Sequence, residues 1–257
     1  MKITILTLFP EMFDSYLSNS IIKRAIAKGI VSFNIVNIRD YTLDKHHRVD
    51  NPPYGGGAGL IMMCQPVIDA LKANSSETSK TFLTSPKGST FNQEKALSLA
   101  KEDDLIFICG HYEGLDERIN DYVDECISIG DFILTGGEIP VMAMTDAIIR
   151  LIPNVITENS IEEETFNEGV LEYPQYTFPF DYEGKKVPDI LFSGNHTAIK
   201  KWRRKQSLAL TRKNRQDLFN KLSLSKSDLK LLKEYDDGIT PDWETRALEK
   251  GKKFIKK

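Results

Sequence analysis

Leu105-Ile106-Phe107-Ile108-Cys109-Gly110-His111-Tyr112-Glu113-Gly114 sets an unbroken apolar run directly against a glycine-bearing turn. Such a run reads as a strand buried on both faces, the kind found inside parallel sheets. The pattern recurs through the N-terminal part, with strand candidates at residues 3–8, 32–38, 81–84 and 132–134 separated by helical stretches. That alternation predicts an α/β architecture, a mainly parallel sheet covered by helices. Pro10-Glu11 opens a helix expected to reach about Lys28 and to close at Gly29. Pro66 stands at an N1-like position of another, and a third is expected over residues 92–101.

Two more turns share the strand-end setting: Thr84-Ser85-Pro86-Lys87-Gly88, and Gly130-Asp131-Phe132-Ile133-Leu134-Thr135-Gly136-Gly137-Glu138-Ile139-Pro140. In open α/β sheets, ligands bind beyond the carboxyl ends of the strands, where glycine lets backbone groups face them. One such turn alone is ordinary connection chemistry. Three on one edge predict one pocket. None carries GxGxxG or a Walker lysine, so the implied ligand is held by backbone polar groups and apolar walls. An adenosyl compound with a sulfonium, flanked by an acid such as Glu113, fits that description. Upstream, Asp50-Asn51-Pro52-Pro53-Tyr54-Gly55-Gly56-Gly57-Ala58-Gly59 packs four glycines into five positions, allowing close ligand approach or simply a flexible surface loop. His46 and His47 are adjacent and point apart, so no metal pair is expected there. Cys64, Cys109 and Cys126 form neither an even framework nor a CxxC pair and read as buried small residues.

The chain of 257 residues carries a formal net charge of −3, with 40% hydrophobic and 28% charged residues, as expected of a soluble globular protein. The first apolar run is too short to cross a bilayer and has no signal-peptide features, so a cytoplasmic protein with no membrane partner is expected. The average charge hides its distribution. Between His196 and Lys221 stand Lys200, Lys201, Arg203, Arg204, Lys205, Arg212, Lys213, Arg215 and Lys221, opposed in that stretch by Asp217 alone. Clustered cations with Trp202 among them are the footprint of RNA binding. Periodicity fails from Pro153 to about Glu172, where Glu158, Glu162, Glu163, Glu164, Glu168 and Glu172 gather. The chain therefore divides into a sheet domain at 1–157, a linker at 158–173 and a helical domain at 174–257, with helices expected at 198–212, 215–222 and 226–235. Arg150, closing the helix after the third turn, and the linker acids form a cation–carboxylate set. Such a set removes a proton while steadying charge on a neighbouring oxygen.

In their order along the chain, Leu8-Phe9-Pro10-Glu11-Met12-Phe13, Pro52-Pro53-Tyr54-Gly55-Gly56-Gly57, the two glycine turns, Leu191-Phe192-Ser193-Gly194-Asn195-His196 and Lys205-Gln206-Ser207 resemble the bacterial tRNA (guanine-N1)-methyltransferase family, TrmD. The resemblance implies a SPOUT-type α/β fold with a deep trefoil knot and a small helical C-terminal domain. It implies methyl transfer from S-adenosyl-L-methionine to N1 of guanosine 37, 3′ to the anticodon of tRNA, in support of reading-frame maintenance. It also implies a homodimer whose active site is shared between subunits. Mg2+ is compatible with the resemblance. The donor site implied comprises Ser85, Pro86, Gly110, Tyr112, Glu113, Gly114, Ile129, Gly130, Phe132, Ile133, Leu134, Gly136, Gly137 and Pro140. Substrate contacts fall on Asp50, Tyr54, Gly55, Gly56, Gly57, Gly59, Ser193, Asn195, His196, Lys200, Arg203 and Gln206.

The catalytic pair implied is Arg150 with a linker acid. Anchored on Thr165-Phe166, the family's aspartate falls on Glu164, one methylene longer, with Glu162 and Glu163 as neighbouring alternatives. The linker is one residue shorter than usual, and Phe178 stands where the family has arginine. Rival readings are a SPOUT enzyme acting on another RNA position, disfavoured by the glycine loop, and a catalytically silent RNA-binding protein, disfavoured by Arg150 and the linker acids. A Rossmann dehydrogenase would need GxGxxG where Leu8-Phe9-Pro10 stands.

Overall fold

The computed structural model describes residues 1–156 and 169–251, in two compact units, Met1–Ile161 and Glu162–Lys257. Glu158, Glu162, Glu163, Glu164 and Glu168 therefore lie outside the described residues. In the first unit β1 (Lys2–Thr7), β2 (Ser32–Asn37), β5 (Lys80–Thr90), β6 (Asp104–Ile108) and β7 (Glu125–Ser128) form one parallel sheet in the order β2-β1-β6-β5-β7. A second pair, β3 (Asp50–Asn51) with β4 (Ile61–Met62), is antiparallel. The central strand β6 is buried along its whole length, as its unbroken apolar run requires.

One face of the sheet, with Ile3, Ile5, Phe82, Leu105 and Phe107, packs on α2 (Ser20–Ala27), α4 (Gln93–Leu99) and α5 (Glu138–Ile149) through Ile22, Leu99, Met144 and Ile148. The opposite face, with Leu6, Ile106 and Ile108, packs on α3 (Cys64–Asn74) through Val67 and Leu71. Phe82 and Phe107 stack at 5.4 Å. Truncating a buried ring of that kind costs roughly 3–5 kcal/mol.

Four local readings are corrected. The helix expected over 10–28 is instead a 3-10 turn, a single α-turn α1 (Asp14–Leu17) and α2. Ser18 Oγ and Asn19 Nδ2 both donate to the Ser15 carbonyl, at 3.3 and 2.8 Å, and this local competition breaks the ladder. Pro66 is the third residue of α3, which starts at Cys64. Residues 132–134 form no strand; the fifth strand is β7, whose Glu-Cys-Ile-Ser sequence offers a weak signal. Strand β5 runs on to Thr90 past a register shift between Thr84 and Ser89, so residues 85–88 bulge out of the ladder, where Pro86 has no N–H to donate. Two helix-end signals hold: Gly29 follows α2, and Asn92 caps α4 by accepting from the Lys95 amide at 2.9 Å. Of the cysteines read as buried, Cys109 is, while Cys64 and Cys126 are half-buried.

In the second unit a hairpin of β8 (Asp181–Tyr182) and β9 (Lys185–Lys186) precedes α6 (His196–Asn214), α7 (Gln216–Phe219), α8 (Lys226–Asp236) and α9 (Asp242–Gly251). Ile190, Ala198, Trp202 and Ala247 form one small core and Val170, Leu208 and Leu232 another. Residues assigned to the linker join this unit. Val170 enters its core, Leu171 N–H donates to Thr211 Oγ1 at 2.8 Å, and the Tyr173 ring lies 4.4 Å from the Arg203 guanidinium.

The basic stretch on α6 is less free than its sequence implies. Arg204 pairs with Asp228 at 2.9 Å, buried Lys205 with Glu244 at 2.8 Å, Arg212 with Asp236, and Arg215 with Asp217 at 2.6 Å. Three of these acids come from α8 and α9, beyond the window in which the cations cluster. The Arg204 guanidinium, then the Ser225 hydroxyl and amide of a capping box, hold the Asp228 carboxyl below its ordinary 3.8. A depressed carboxyl stabilises the fold above its unfolded pKa, and the contribution vanishes as pH falls through the folded value. Asp228→Asn should therefore destabilise the protein by about 1–2 kcal/mol at pH 7. In denaturant titrations, the gap between its unfolding free energy and that of the wild type should narrow as pH falls below 3.8.

Candidate active site

The carboxyl ends of β5, β6 and β7 open onto a cleft of about 1490 Å³. The three turns that follow these strands wall it: 83–87 after the buried part of β5, 110–118 after β6, and 126–137 from the end of β7 towards α5. Thr84 ties the first two together. Its hydroxyl donates to the Ile108 carbonyl at 3.0 Å and accepts from the Gly110 amide at 3.3 Å. The third turn is fastened to the second by the Gly137 amide, which donates to the Gly110 carbonyl at 2.7 Å, and by an antiparallel bridge between His111 and Gly136.

These contacts require glycine by close approach. A Cβ on Gly137 would overlap Thr84 Oγ1 and fall 2.7 Å from Cys109 Cα and 2.8 Å from Gly110 N. On Gly136 it would overlap the Glu138 carboxylate and fall 2.7 Å from His111 Nδ1. At the start of α5, Glu138 is buried and accepts from the Thr7 hydroxyl at 2.7 Å, linking the end of β1 to this corner. Beside it, burial pushes the Cys109 thiol well above its ordinary range, and the Glu138 charge adds to the effect. Cys109 is thus inert packing. His111 Nδ1 is buried without a hydrogen-bond partner among the described residues, while its ring packs at 4.9 Å from Phe9. Sequence reasoning missed Thr7 and the burial of Glu138, for which Glu138 in the Gly-Gly-Glu triplet was the only local signal.

The glycine loop lies beside the cleft, and the residues before it reach the lining. Gly55, Gly56, Gly57 and Gly59 all take positive φ, from 77° to 138°. Backbone bonds sew its end to the 112–116 turn: Glu113 N–H to Leu60 O at 3.1 Å, Met62 N–H to Gly114 O at 3.0 Å, and Asp116 N–H to Met62 O at 3.0 Å. Pro52, Pro53 and Tyr54 line the cleft, whereas Asp50, Gly55, Gly56, Gly57 and Gly59 do not. At the mouth, Arg118 pairs with Asp116 at 2.7 Å and holds that carboxyl below its usual range. Lys87 faces Glu117 at 3.3 Å.

Every residue assigned to the donor site from sequence lines this single cleft: Ser85, Pro86, Gly110, Tyr112, Glu113, Gly114, Ile129, Gly130, Phe132, Ile133, Leu134, Gly136, Gly137 and Pro140. Arg150 is not among its walls; it caps the far end of α5, its N–H donating to the Asp146 carbonyl at 3.2 Å. Glu164 lies outside the described residues. Ser193 and Asn195 build the start of α6, Ser193 Oγ accepting from the Asn195 amide at 3.2 Å and Asn195 Oδ1 from the Ala198 amide at 3.2 Å. His196 and Lys200 are exposed, Gln206 and Arg203 half-buried. No group of three or more His, Cys, Asp or Glu among the described residues could hold a metal ion, and no helix there is long and apolar enough to cross a membrane.

The family model described as tRNA (Guanine-1)-methyltransferase TrmD matches residues 1–221. The chain is 56% identical over 235 residues to a tRNA (guanine-N(1)-)-methyltransferase of Clostridium perfringens (strain ATCC 13124), a match covering 91% of this chain and 99% of that relative. It is 55% identical over 238 residues to the protein of that name from Clostridium botulinum (strain Hall), covering 92% and 99% respectively.

Because the Gly137 Cα has no room for a substituent, Gly137→Ala should displace the third turn and destabilise the protein by about 1–3 kcal/mol. Denaturant titration reads this directly, and wild-type stability in the variant would show that the corner accommodates a Cβ.

Proposed function

The chain belongs to the tRNA (guanine-1)-methyltransferase family, and from that premise we propose that it transfers a methyl group from S-adenosylmethionine to N1 of guanosine 37 in tRNA. The observation that carries this reading is the three-turn cleft, lined by the backbone of Gly110, Gly136 and Gly137 and by apolar side chains, with charged groups such as Glu113, Lys87 and Arg118 beside them. Its residues fit an adenosyl donor. Gly136 and Gly137 pack so closely on Glu138, His111, Thr84, Cys109 and Gly110 that a Cβ has no room, which fixes the third turn as a backbone wall, while Ile129, Phe132, Leu134 and Pro140 supply apolar contact. Glu113, exposed on the second turn, adds negative charge of the sign a sulfonium needs. When bound, the donor supplies an electrophilic methyl group to a nucleophilic nitrogen.

N1 of guanosine carries a proton and becomes nucleophilic as that proton leaves. In the proposed chemistry the carboxylate of Glu164, with Glu162 and Glu163 as neighbours, takes the N1 proton. The Arg150 guanidinium steadies the charge that moves to O6. Fixed cations that act on developing charge contribute most where water is excluded.

The reading includes a site completed by a second subunit. Phe132 at 53% and Ile133 at 80% exposure, with Ile139 beside them, leave an apolar surface next to the cleft that a partner copy would cover. It also includes the trefoil threading of the family fold, supported by the tight backbone passage of residues 136–137 against 109–110. The second unit serves as the tRNA-binding domain, and the setting is the cytoplasm, where tRNA is modified.

The test is methyl transfer to a tRNA transcript with guanosine at positions 36 and 37, compared with its G37→A version, the product mapped to the base atom. Methylation of N1 in the first alone is expected; equal incorporation into both removes the position assignment. Under saturating donor and tRNA, Arg150→Ala and Glu164→Gln should each lower kcat by roughly 10²-fold or more. Near-normal turnover in Glu164→Gln would move the base to another group.

A further inference from the structure

The second unit carries an aromatic surface that its core does not use. Phe178 is 93% and Tyr182 63% exposed, and Tyr176, Phe180 and Phe192 are partly so. The spacing Tyr176, Phe178, Phe180, Tyr182 repeats every second residue. Phe180 is the anchor: its ring meets Phe192 edge-on at 5.1 Å, and its carbonyl accepts from the Val187 amide at 2.9 Å, closing the hairpin. Phe178 and Tyr182 flank that anchor with their faces in solvent.

The same hairpin supplies cations. Lys185 stands opposite Tyr182 and Lys186 opposite Asp181, both lysines are exposed, and neither forms an ion pair among the described residues. Asp181 is engaged in the turn, its Oδ1 accepting from the Gly184 amide at 2.8 Å. On α6, by contrast, Arg204, Lys205, Arg212 and Arg215 are already matched by acids. Cations that have carboxylate partners gain less from phosphate than cations facing water. The hairpin therefore combines the two elements that unpaired nucleotides need: π faces for bases and unmatched positive charge for the backbone. The exposed large apolar residues on this stretch are all aromatic, so each offers a π face on which a base can stack.

We propose that Phe178 and Tyr182, with Lys185 across the hairpin from Tyr182, form a stacking platform for unpaired bases of the RNA substrate. The proposal rests on the tRNA reading of the cleft and extends it to a specific contact in the second unit. Base–aromatic stacking is sequence-tolerant, so the platform contributes affinity and orientation rather than base identity.

The test uses the full-length protein and an unmodified tRNA transcript. The double variant Phe178→Leu with Tyr182→Leu keeps apolar character and removes both rings. It should raise the dissociation constant and KM for tRNA by about tenfold or more, with kcat at saturating tRNA and donor affinity within twofold of wild type. Phe178→Trp alone should retain wild-type affinity. Because both side chains face solvent, thermal melting of the variants is expected to match wild type. Unchanged tRNA affinity in the double variant overturns the proposal. So does a shift from dimer to monomer in sedimentation, which assigns the rings to a second copy. Failure of the methyltransferase reading is separate, since it appears as absent methyl transfer by the wild-type protein itself.

Discussion

The Gly137 amide reaches the Gly110 carbonyl at 2.7 Å, with Thr84 Oγ1, Cys109 Cα and Gly110 N all pressed against the Gly137 Cα. A single backbone hydrogen bond contributes only about 0.5–1.5 kcal/mol, so its importance lies in geometry rather than in strength. It fixes the end of the third turn against the end of β6. Thr84 fixes β5 against the same point. Three strand ends therefore share one corner, and the cleft between them has walls of backbone. Side chains are excluded there because an added methylene in a packed corner costs roughly 1–3 kcal/mol and shifts its neighbours. The buried Glu138–Thr7 hydrogen bond extends the arrangement to β1, so the start of α5 is tied to both the turn and the central sheet.

Electrostatics separates the two units. Around the cleft, exposed pairs such as Lys87–Glu117 and Arg118–Asp116 are screened and add little to stability. In the second unit, the pairs from α6 to α8 and α9 include a buried one, Lys205–Glu244, over which the Trp243 ring lies at 5.2 Å from the ammonium. Removing either partner would strand a buried charge, which makes these cations part of the fold as much as part of any RNA surface. What positive charge remains for phosphate is smaller, and differently placed, than a count along α6 implies.

The strands β1, β2 and β6 and the start of β5 were legible because each is an apolar run ending at glycine, proline or asparagine. So was the donor site, since strand-end turns converge wherever a parallel sheet presents its carboxyl edge. Strand β7 was not: Glu125-Cys126-Ile127-Ser128 is short and mixed, and the more apolar Phe132-Ile133-Leu134 nearby drew the assignment although it has no strand partner. The partners of Arg204, Lys205 and Arg212 sit 24 to 39 residues away, beyond any local window. The burial of Glu138 depends on Thr7, 131 residues upstream, and no periodicity announces such a pair. Helix α9 and the β8–β9 hairpin escaped because their segments mix charge and aromatics without a strong repeat.

On the proposed reading the methyl donor occupies the cleft made by the three turns. Hydrogen–deuterium exchange of the full-length protein, with and without S-adenosylhomocysteine, tests it most directly. Slowed exchange concentrated at amides of residues 110–114 and 129–137 is expected. Protection absent from both segments, or concentrated on α6 instead, would contradict it.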